Sequence, residues 1–468
     1  YSILKNLGLD ELIVQDLDAY INKAIKLAAN IDQLKEYRLG LRTKITNSSF
    51  NIQSYIKKYT KSLQGMWLAK CKHPELELNC CAQKFETIKE PAKALELYLQ
   101  SIQHNPNQAH IYNQIGIILS KDAQHIDALA CGYKALELEP NNAYINACVG
   151  DASARFGMHT EAVKYYGLAH ELDPKFKNYL SSLIFVKHKD ANTTLPELLE
   201  LSQKYHELYL SHIQSLNIKF DYNISKNKLK LGIISGDLNG HPVAFYLWSL
   251  LEHLNRERFE VHLYHSGIKH DVFTDKFKEL SDSFTSIYEI SSLDTAKLIA
   301  SKGIDVLFDC SGYTRGERLE IFKYKPAPVQ VSHVGYFGTL AIPEMDFLFA
   351  NPYVIRKEEE KYYTEKIYMF PGAQTHCDLP WMPQASEEAP CQRNGYITFG
   401  SMNSYHKLSE DLFKIWITIL EQVPGSKIIF DTQDLIEKGS TNYLYKVFQS
   451  YGIENSRLTI RSNKDRVN

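Results

Sequence analysis

The feature that most constrains the fold of this chain is a sequence repeat with a period of 34 residues. Prolines, alanines and glycines recur at that spacing, at Pro106, Pro140 and Pro174, at Ala94, Ala128 and Ala162, and at Gly116 and Gly150. The prolines follow helical patterns such as ALELEP and AHELDP, and proline stops a helix because it has no amide donor. Alanine and glycine let two helices approach closely. The pattern from Pro91 to Phe176 therefore predicts consecutive helix–turn–helix units.

A 34-residue helix–turn–helix period resembles the tetratricopeptide repeat. Stacked helix pairs of this kind form a superhelix, and its concave face usually holds a peptide or a protein. We assign residues 86–185 to this region and expect a protein or peptide partner in its groove. Only about two and a half repeats are visible, so the groove should be short.

Composition narrows the class of protein. The 468 residues are 44% hydrophobic and 23% charged, which predicts a globular chain of several domains. A net charge of −2 favours neither a nucleic-acid partner nor an anionic membrane, and neither a membrane-spanning apolar run nor a signal peptide is visible. Eight scattered cysteines fit a reducing, cytoplasmic location. His73, Cys80 and Cys81, with Cys71, lack a usual zinc spacing, so we expect no metal site.

The rest of the chain divides by periodicity. Residues 1–85 have the apolar spacing of helices, in YINKAIKLA, IDQLKEYRLGLRTKI and FNIQSYIKKYTKSLQGMW. Residues 186–228 contain one more amphipathic helix, Leu195 to Ile213, and a polar boundary. From Leu229 strands alternate with helices, which predicts a mostly parallel, Rossmann-like sheet over 229–385. The expected strands are KLKLGIIS, FEVHLYHS, Phe284–Tyr288, DVLFDCSG, VQVSHVG and MDFLFAN.

The alternation restarts after a turn-rich stretch. GYITFGSM, SKIIFD and RLTIRS read as strands, and LSEDLFKIWITILEQVP reads as a helix between the first two. Residues 386–468 are therefore predicted to begin a second Rossmann-like domain. The loops of both domains lack the G-x-G-x-x-G fingerprint of dinucleotide binding.

The turn after the first strand carries the first candidate chemistry. Asp237 and His241 lie between the strand Leu229–Ser235 and a helix opened by Pro242. Ligands of open α/β sheets bind at the carboxyl ends of strands, so the two side chains form a candidate acid/base site. A histidine and an aspartate in one loop are also common surface chemistry, and the pair alone does not decide between these interpretations.

Three segments in a fixed order do decide it. SGDLNGHPVAFYL, CSGYTRGERLEIFKYKPAPVQVSHVGYFGT and YITFGSMNSYHKLSEDLFKIWITILEQVPGS together resemble the O-linked N-acetylglucosamine transferase and SPINDLY family. Those enzymes join tetratricopeptide repeats to two Rossmann-like domains of the GT-B type. The resemblance implies an α plus α/β fold and transfer of a sugar, N-acetylglucosamine first, from a UDP-sugar to Ser or Thr of a protein with inversion. It implies no metal or other cofactor. The alternative is a repeat scaffold whose transferase domain only binds proteins.

The resemblance also implies residue roles. Asp237 and His241 match the family's Asp and His beside the sugar donor, and His206 falls where the family carries a His facing the active site. The residues matched to donor and phosphate binding are Arg315, Arg318, Gly335, Gly338, Thr339, Asn403 and Lys407, and Gly316 matches the glycine of the same basic turn as the two arginines. His333 is assigned to packing.

The chemistry of sugar transfer suits these residue types. Charge grows on the departing diphosphate, and Lys407 precedes a helix for which Ser409 is the expected N-cap. A lysine beside free helix amides makes a good anion site. The acceptor hydroxyl needs a base within reach, such as Asp237 or His241.

Several positions depart from the family pattern. Phe337 stands where proline usually follows the tyrosine, and Asn351 stands where aspartate is common. Gln114 and Cys148 replace the asparagine ladder of the repeats, so we do not expect asparagines to clamp a peptide backbone.

The order of the segments also departs from the family. Residues 1–70 resemble the helices that close the same catalytic region, and the His-Thr-Thr donor loop expected after RLTIRSNKD is missing. We interpret the chain as the tail of one transferase module followed by the head of the next. Part of its donor site would then lie outside this sequence, and its activity would depend on that part. Circular permutation explains the missing loop less well. The choice between N-acetylglucosamine and fucose stays open.

Overall fold

The computed structural model describes most of the chain. The described residues are 4–5, 7–47, 56–57, 59–60, 62–63, 66–67, 70, 72–220, 222, 225–372, 375, 386–432 and 438–461. They form two compact units, Tyr1–Pro106 and Asn107–Asn468.

The first unit is helical in its described part. Its helices are α1 (Leu17–Ala28), α2 (Ile31–Asn47), α3 (Pro74–Thr87) and α4 (Pro91–His104). Asp16 starts α1, since its Oδ1 accepts the amide of Ala19 at 2.7 Å. The helices predicted from YINKAIKLA and IDQLKEYRLGLRTKI are present, whereas much of FNIQSYIKKYTKSLQGMW lies outside the described residues.

The second unit opens with the repeat helices. These are α5 (Ala109–Lys121), α6 (His125–Leu138), α7 (Ala143–Arg155), α8 (His159–Leu172) and α9 (Lys177–Lys187). The helices α5, α7 and α9 begin 34 residues apart, as do α6 and α8. A helix–turn–helix repeat was therefore the correct interpretation of the sequence period.

The recurring glycines mark the points where these helices touch. A Cβ on Gly116 would lie 3.1 Å from the carbonyl oxygen of Ala128, and one on Gly150 would lie 3.1 Å from the ring of Tyr166. Both contacts leave little space for a larger side chain. The sequence spacing therefore reports close packing of neighbouring helices.

A further helix, α10 (Leu195–Tyr205), leads into the sheet domain. Thr194 and Glu197 form a capping box at its start, and the amide of Thr194 donates to Glu197 Oε2 at 2.7 Å. The helix continues as one π turn, His206–Leu210. Buried Leu180, Ile184 and Tyr205 join the same hydrophobic core as Ile234 and Leu307 of the sheet, so the last repeat helices and the sheet share one core.

The sheet domain has seven parallel strands in the order β3-β2-β1-β4-β5-β6-β7. The strands are β1 (Leu229–Ser235), β2 (Phe259–His265), β3 (Ser283–Ser286), β4 (Val306–Asp309), β5 (Val329–Ser332), β6 (Phe347–Ala350) and β7 (Lys366–Met369). The intervening helices are α11 (Pro242–His253), α12 (Val272–Glu279), α13 (Ser292–Ser301) and α14 (Leu319–Lys323). The edge strand β7 was not among the strands expected from sequence.

A second parallel sheet follows, in the order β10-β9-β8. Its strands are β8 (Thr398–Ser401), β9 (Lys427–Asp431) and β10 (Leu458–Arg461), and its helices are α15 (Pro390–Asn394), α16 (Glu410–Gln422) and α17 (Lys438–Ser450). The predicted fold class, helical repeats followed by Rossmann-like α/β structure that restarts, is confirmed. Within the described residues, no helix is long and apolar enough to cross a membrane.

Candidate functional site

The candidate site lies where the order of the first sheet reverses. Strand β1 pairs with β2 on one side and with β4 on the other, so the loops that follow β1 and β4 meet at the carboxyl edge. They pack closely: the amide of Gly236 donates to Oγ of Ser311 at 3.1 Å. A Cβ on Gly236 would lie 2.9 Å from the carbonyl oxygen of Arg315. This contact requires glycine and holds the two loops together.

The loop between β1 and α11 brings Asp237 and His241 together. Nδ1 of His241 lies 3.5 Å from Oδ2 of Asp237, and it accepts the amide of Val243 at 3.4 Å at the start of α11. Gly240 anchors the loop, because its amide donates to Asp271 Oδ2 at 2.9 Å. The predicted proximity of the two side chains is thus present in the structure.

The surroundings shift the protonation of this pair. Burial raises the pKa of the Asp237 carboxyl above its ordinary value. Burial also lowers the pKa of the His241 imidazole, and the positive charges of Lys407 and Lys269 lower it further. The imidazole is therefore neutral near pH 7 and able to accept a proton. Because Nδ1 accepts the Val243 amide, the ring proton of the neutral imidazole lies on Nε2 in this arrangement.

Lys407 and Asn403 come from the second sheet domain, after β8. Both side chains are exposed, and Lys407 ends the short 3₁₀ turn Tyr405–Lys407. Ser409 is the N-cap of α16, as predicted, with Oγ accepting the amide of Leu412 at 3.3 Å. Lys407 is near enough to His241 for its charge to contribute to the lowered pKa of the imidazole.

The segment that carries Lys407 is held against the repeat helices. Nε2 of His159, at the start of α8, lies 2.8 Å from the carbonyl oxygen of His406. A Cβ on Gly157 would lie 2.4 Å from the carbonyl oxygen of Leu408. The repeats therefore position the beginning of the second sheet domain as well as forming a groove.

Arg315 and Arg318 differ in their surroundings. The guanidinium of Arg318 donates to the carbonyl oxygens of Ile287 and Ile290, both at 2.7 Å, and to Ser292 Oγ at 3.3 Å. Four hydrogen bonds thus tie Arg318 to the turn between β3 and α13, and its predicted contact with phosphate stays a prediction. Arg315 lines the open cleft beside it.

The three residues of the predicted glycine turns serve close packing. Gly335 has φ of +123°, and a Cβ there would lie 2.4 Å from the carbonyl oxygen of Cys310. Gly338 leaves no room for a Cβ beside Tyr336 Oη, at 2.6 Å, and the His188 ring, at 2.7 Å. Thr339 is buried, and its Oγ1 donates to Glu365 Oε2 at 2.7 Å. The hydroxyl of Thr339 is thus occupied within the protein.

The structure separates His206 from the other predicted residues. Its charged neighbours are Lys323 and Glu344, which precede β5 and β6 and so lie at the amino edge of the sheet. Nε2 of His206 is buried, and no described group hydrogen-bonds to it. The π turn that begins at His206 alters the helical register assumed from sequence. His206 is not brought to the Asp237–His241 site.

A histidine that was not among the predicted site residues, His188, lies against the turn at Gly338. It is the C-cap of α9, and its Nε2 lies 2.7 Å from Tyr336 Oη beside Gly338. Burial lowers the pKa of His188 to about 4, so the ring is neutral near pH 7. The available sequence signal was its position at the end of the last helix in the 34-residue register.

A cleft of about 1060 Å³ separates the repeat helices from the carboxyl edge of the first sheet. Arg155 and Lys189 line it on the repeat side, and Arg315 and Glu317 line it on the sheet side. It is large enough for an extended peptide segment or a small ligand. The described residues include no group of three or more His, Cys, Asp or Glu side chains suited to a metal ion, and Cys71 lies outside them.

Comparison with known proteins agrees with this geometry. The model of glycosyl transferase family 41 matches residues 199–380. The probable UDP-N-acetylglucosamine–peptide N-acetylglucosaminyltransferase SPINDLY of Solanum lycopersicum is 23% identical over 62% of this chain and 32% of its own length. The corresponding protein SEC of Arabidopsis thaliana is 28% identical over 43% of this chain and 22% of its own length. The chain therefore spans about a third or less of these curated relatives.

The structural comparison extends over more of the chain. The structure of a mutant O-GlcNAc transferase from Thermobaculum terrenum matches with a TM-score of 0.74, covering 84% of this chain and 75% of that one at 21% identity. The likeness shows the same arrangement of fold elements. Residues 199–380 are thus similar to glycosyl transferase family 41, and the chain shares the fold of this transferase.

Proposed function

We propose that this chain provides part of a glycosyltransferase that moves a sugar, N-acetylglucosamine first, from a nucleotide-sugar donor to Ser or Thr of a protein. The observation that carries the proposal is the Asp237–His241 pair at the sheet switch point with the charge of Lys407 beside it. The names of the relatives, which describe UDP-N-acetylglucosamine–peptide transferases, support the same reaction.

In the proposed reaction His241 is the base. In the reactive tautomer Nδ1 carries the proton and hydrogen-bonds to Asp237 in place of accepting the Val243 amide, and Nε2 removes the proton of the acceptor hydroxyl. The acceptor oxygen then bonds to the anomeric carbon as the bond from that carbon to the diphosphate breaks. Attack from the face opposite the leaving group inverts the anomeric centre. Base catalysis of this kind contributes typically about a hundredfold to ten-thousandfold.

The leaving diphosphate needs positive charge, and we assign that role to Lys407. It is exposed and immediately precedes the N-terminus of α16, whose free amides favour an anion. Asn403 and Arg315 are the further donor-side candidates, whereas Arg318 acts by holding its turn. The role expected of His206 passes to His188, which with Tyr336 bounds the turn at Gly338.

The acceptor polypeptide is proposed to enter the cleft between the repeats and the sheet. The residues that line this cleft come from the repeat helices and from the loops at the candidate site. A polypeptide bound in the cleft would therefore contact the repeats and reach the candidate site. A cytoplasmic location and the absence of a nucleic-acid partner remain predictions from composition.

The phosphate role is tested by nucleotide binding. Isothermal titration of the full-length protein with UDP should show a loss of affinity of about tenfold or more in Lys407→Ala, the size expected for a hydrogen bond to a charged group. Lys414→Ala is the matched control, because Lys414 is an exposed lysine on α16 paired with Asp411. Equal UDP affinity in the native chain and Lys407→Ala would refute the phosphate assignment.

The base role is tested by transfer in the full-length protein. His241→Ala should abolish sugar transfer while retaining UDP binding. Unchanged transfer in that variant would exclude His241 as the base. A full-length protein that neither binds UDP nor transfers sugar would instead favour the scaffold alternative.

A further inference from the structure

Three cations occupy one equivalent position in successive repeats. Lys121, Arg155 and Lys189 are spaced by 34 residues, and each lies twelve residues after the start of its helix, α5, α7 or α9. All three line the same cleft of about 1060 Å³. We call these three residues the cation ladder. The repeat that stacks the helices thus also stacks positive charge along one wall of the cleft.

Positively charged side chains outnumber negatively charged ones in the lining of this cleft. Its lining includes six Lys or Arg side chains and three Asp or Glu side chains. The three carboxylates already have partners: Arg155 donates to Asp151 at 2.8 Å, and Lys177 binds Glu317 at 2.7 Å and also pairs with Glu320. Among the described residues, Lys121, Lys189 and Arg315 form no ion pair with a carboxylate. The cleft therefore retains unneutralised positive charge.

The environment of Lys189 shows the same excess. Its ammonium lies 4.8 Å from the centre of the Phe185 ring and is half-buried. Burial lowers the pKa of Lys189 to about 8, and the charges of Lys407 and Arg155 contribute. The neighbouring His406 lines the cleft as a neutral ring, since burial and the surrounding cations lower its pKa to about 3. An anion bound among these groups would relieve the repulsion.

The helix dipole by itself explains why Lys121 ends α5 and why Arg155 ends α7, because a cation is favourable at a helix C-terminus. It does not explain Lys189, which lies two residues beyond the end of α9 and is half-buried. Nor does it explain why all three side chains face one cleft. These observations point to a ligand that extends along the repeats and carries several negative charges.

We propose that the cation ladder selects acceptor polypeptides whose extended segment carries Asp, Glu or phosphorylated side chains. This inference rests on the proposed function in one respect, namely that the bound polypeptide is the acceptor of the sugar. The binding of an acidic polypeptide to the cation ladder does not depend on sugar transfer. Side-chain charge would here supply the specificity that Gln114 and Cys148, in place of an asparagine ladder, do not. Interactions at a partly exposed surface favour selectivity and fast association and weaken with salt.

The test is a peptide-binding measurement on this chain. Fluorescence anisotropy would compare a labelled dodecapeptide with one Ser flanked by Asp and Glu against its Asn and Gln counterpart, at about 50 and about 300 mM NaCl. The acidic peptide should bind about tenfold tighter at the lower salt. Lys121→Gln, Arg155→Gln and Lys189→Gln should each remove about threefold of that preference, and the triple variant should abolish it. Equal binding of the two peptides by the native chain would overturn the proposal.

Two controls separate the alternatives. Lys175→Gln, an exposed lysine in the repeats outside the cleft lining, should retain the preference. If the ladder variants weaken UDP binding and leave peptide binding unchanged, the anion is the donor diphosphate and the proposal is wrong. Selective peptide binding by a full-length protein that neither binds UDP nor transfers sugar would instead refute the proposed transferase function while leaving the ladder assignment standing.

Discussion

Replacing Gly157 with alanine should detach the segment that carries Lys407 from the repeats. Gly157 has φ of +79°, where an alanine costs about 1–2 kcal/mol. Its new Cβ would lie 2.4 Å from the carbonyl oxygen of Leu408, an overlap whose relief costs about 1–3 kcal/mol. The backbone cost and the steric cost together destabilise the attachment of this segment by about 3 kcal/mol. The strain arises next to the contact between His159 and the His406 carbonyl oxygen.

Hydrogen exchange is the direct assay. The amides of Lys407 and Leu408 donate to Ser404 and Tyr405 at 2.9 Å, so their protection reports whether this turn stays formed. A loss of about 3 kcal/mol predicts about a hundredfold faster exchange of these amides. The UDP affinity should fall in parallel, because Lys407 is then no longer held in place.

Two other glycines separate the contributions. Gly452 has φ of +80° with nothing near a Cβ, so Gly452→Ala measures the backbone cost alone. Gly167 lies within α8 with open space around a Cβ, and Gly167→Ala should stabilise the chain by about 0.5–1 kcal/mol. Exchange at residues 407 and 408 that is equal in Gly157→Ala and Gly452→Ala would refute the contact argument.

The remaining predictions concern Arg318 and Asp309. Arg318→Lys should lower the free energy of unfolding by about 2 kcal/mol, because hydrogen bonds from a charged group to buried carbonyls are lost, whereas Arg315→Gln should change it by about 0.5 kcal/mol or less in urea titrations. Burial raises the pKa of Asp309 to about 7, above its value in the unfolded chain. Between about pH 4 and pH 7 the folded state therefore binds a proton that the unfolded state has lost, and this contribution to stability is lost as the pH rises through 7. Relative to Asp309→Asn, the native chain should therefore gain on the order of 2 kcal/mol between pH 8 and pH 5, and a pH-independent difference would contradict the buried carboxylic acid.

Sequence reasoning succeeded where several residue types recur at the same spacing. The 34-residue spacing placed the repeat helices correctly, because helix packing imposes small residues at Gly116 and Gly150 again and again. The long apolar strand β1 was equally clear. The edge strand β7 was missed because KIYM is short and follows a charged 3₁₀ turn, Lys357–Tyr362, so no strand pattern precedes it.

The site was harder to predict than the fold. Asp237 and His241 share one loop, and their proximity follows from four residues of spacing. Arg315 and Arg318 also share a turn, but only the structure shows that the carbonyls of a distant turn at Ile287 and Ile290 occupy Arg318. His206 shows the same difficulty, since the π turn that begins there changes the direction of the side chain and is not visible in the sequence pattern.

Because the Lys407 segment is attached to the repeats, its position depends on the curvature of the superhelix. Solenoids of stacked helices bend elastically, since each repeat contacts only its neighbours. Here the bend has a fixed point of attachment, where Gly157 and His159 meet the carbonyls of Leu408 and His406. A change in the curvature of the superhelix would therefore move Lys407 relative to His241. We expect binding in the groove to be coupled to the alignment of charge at the site to the extent that it changes this curvature.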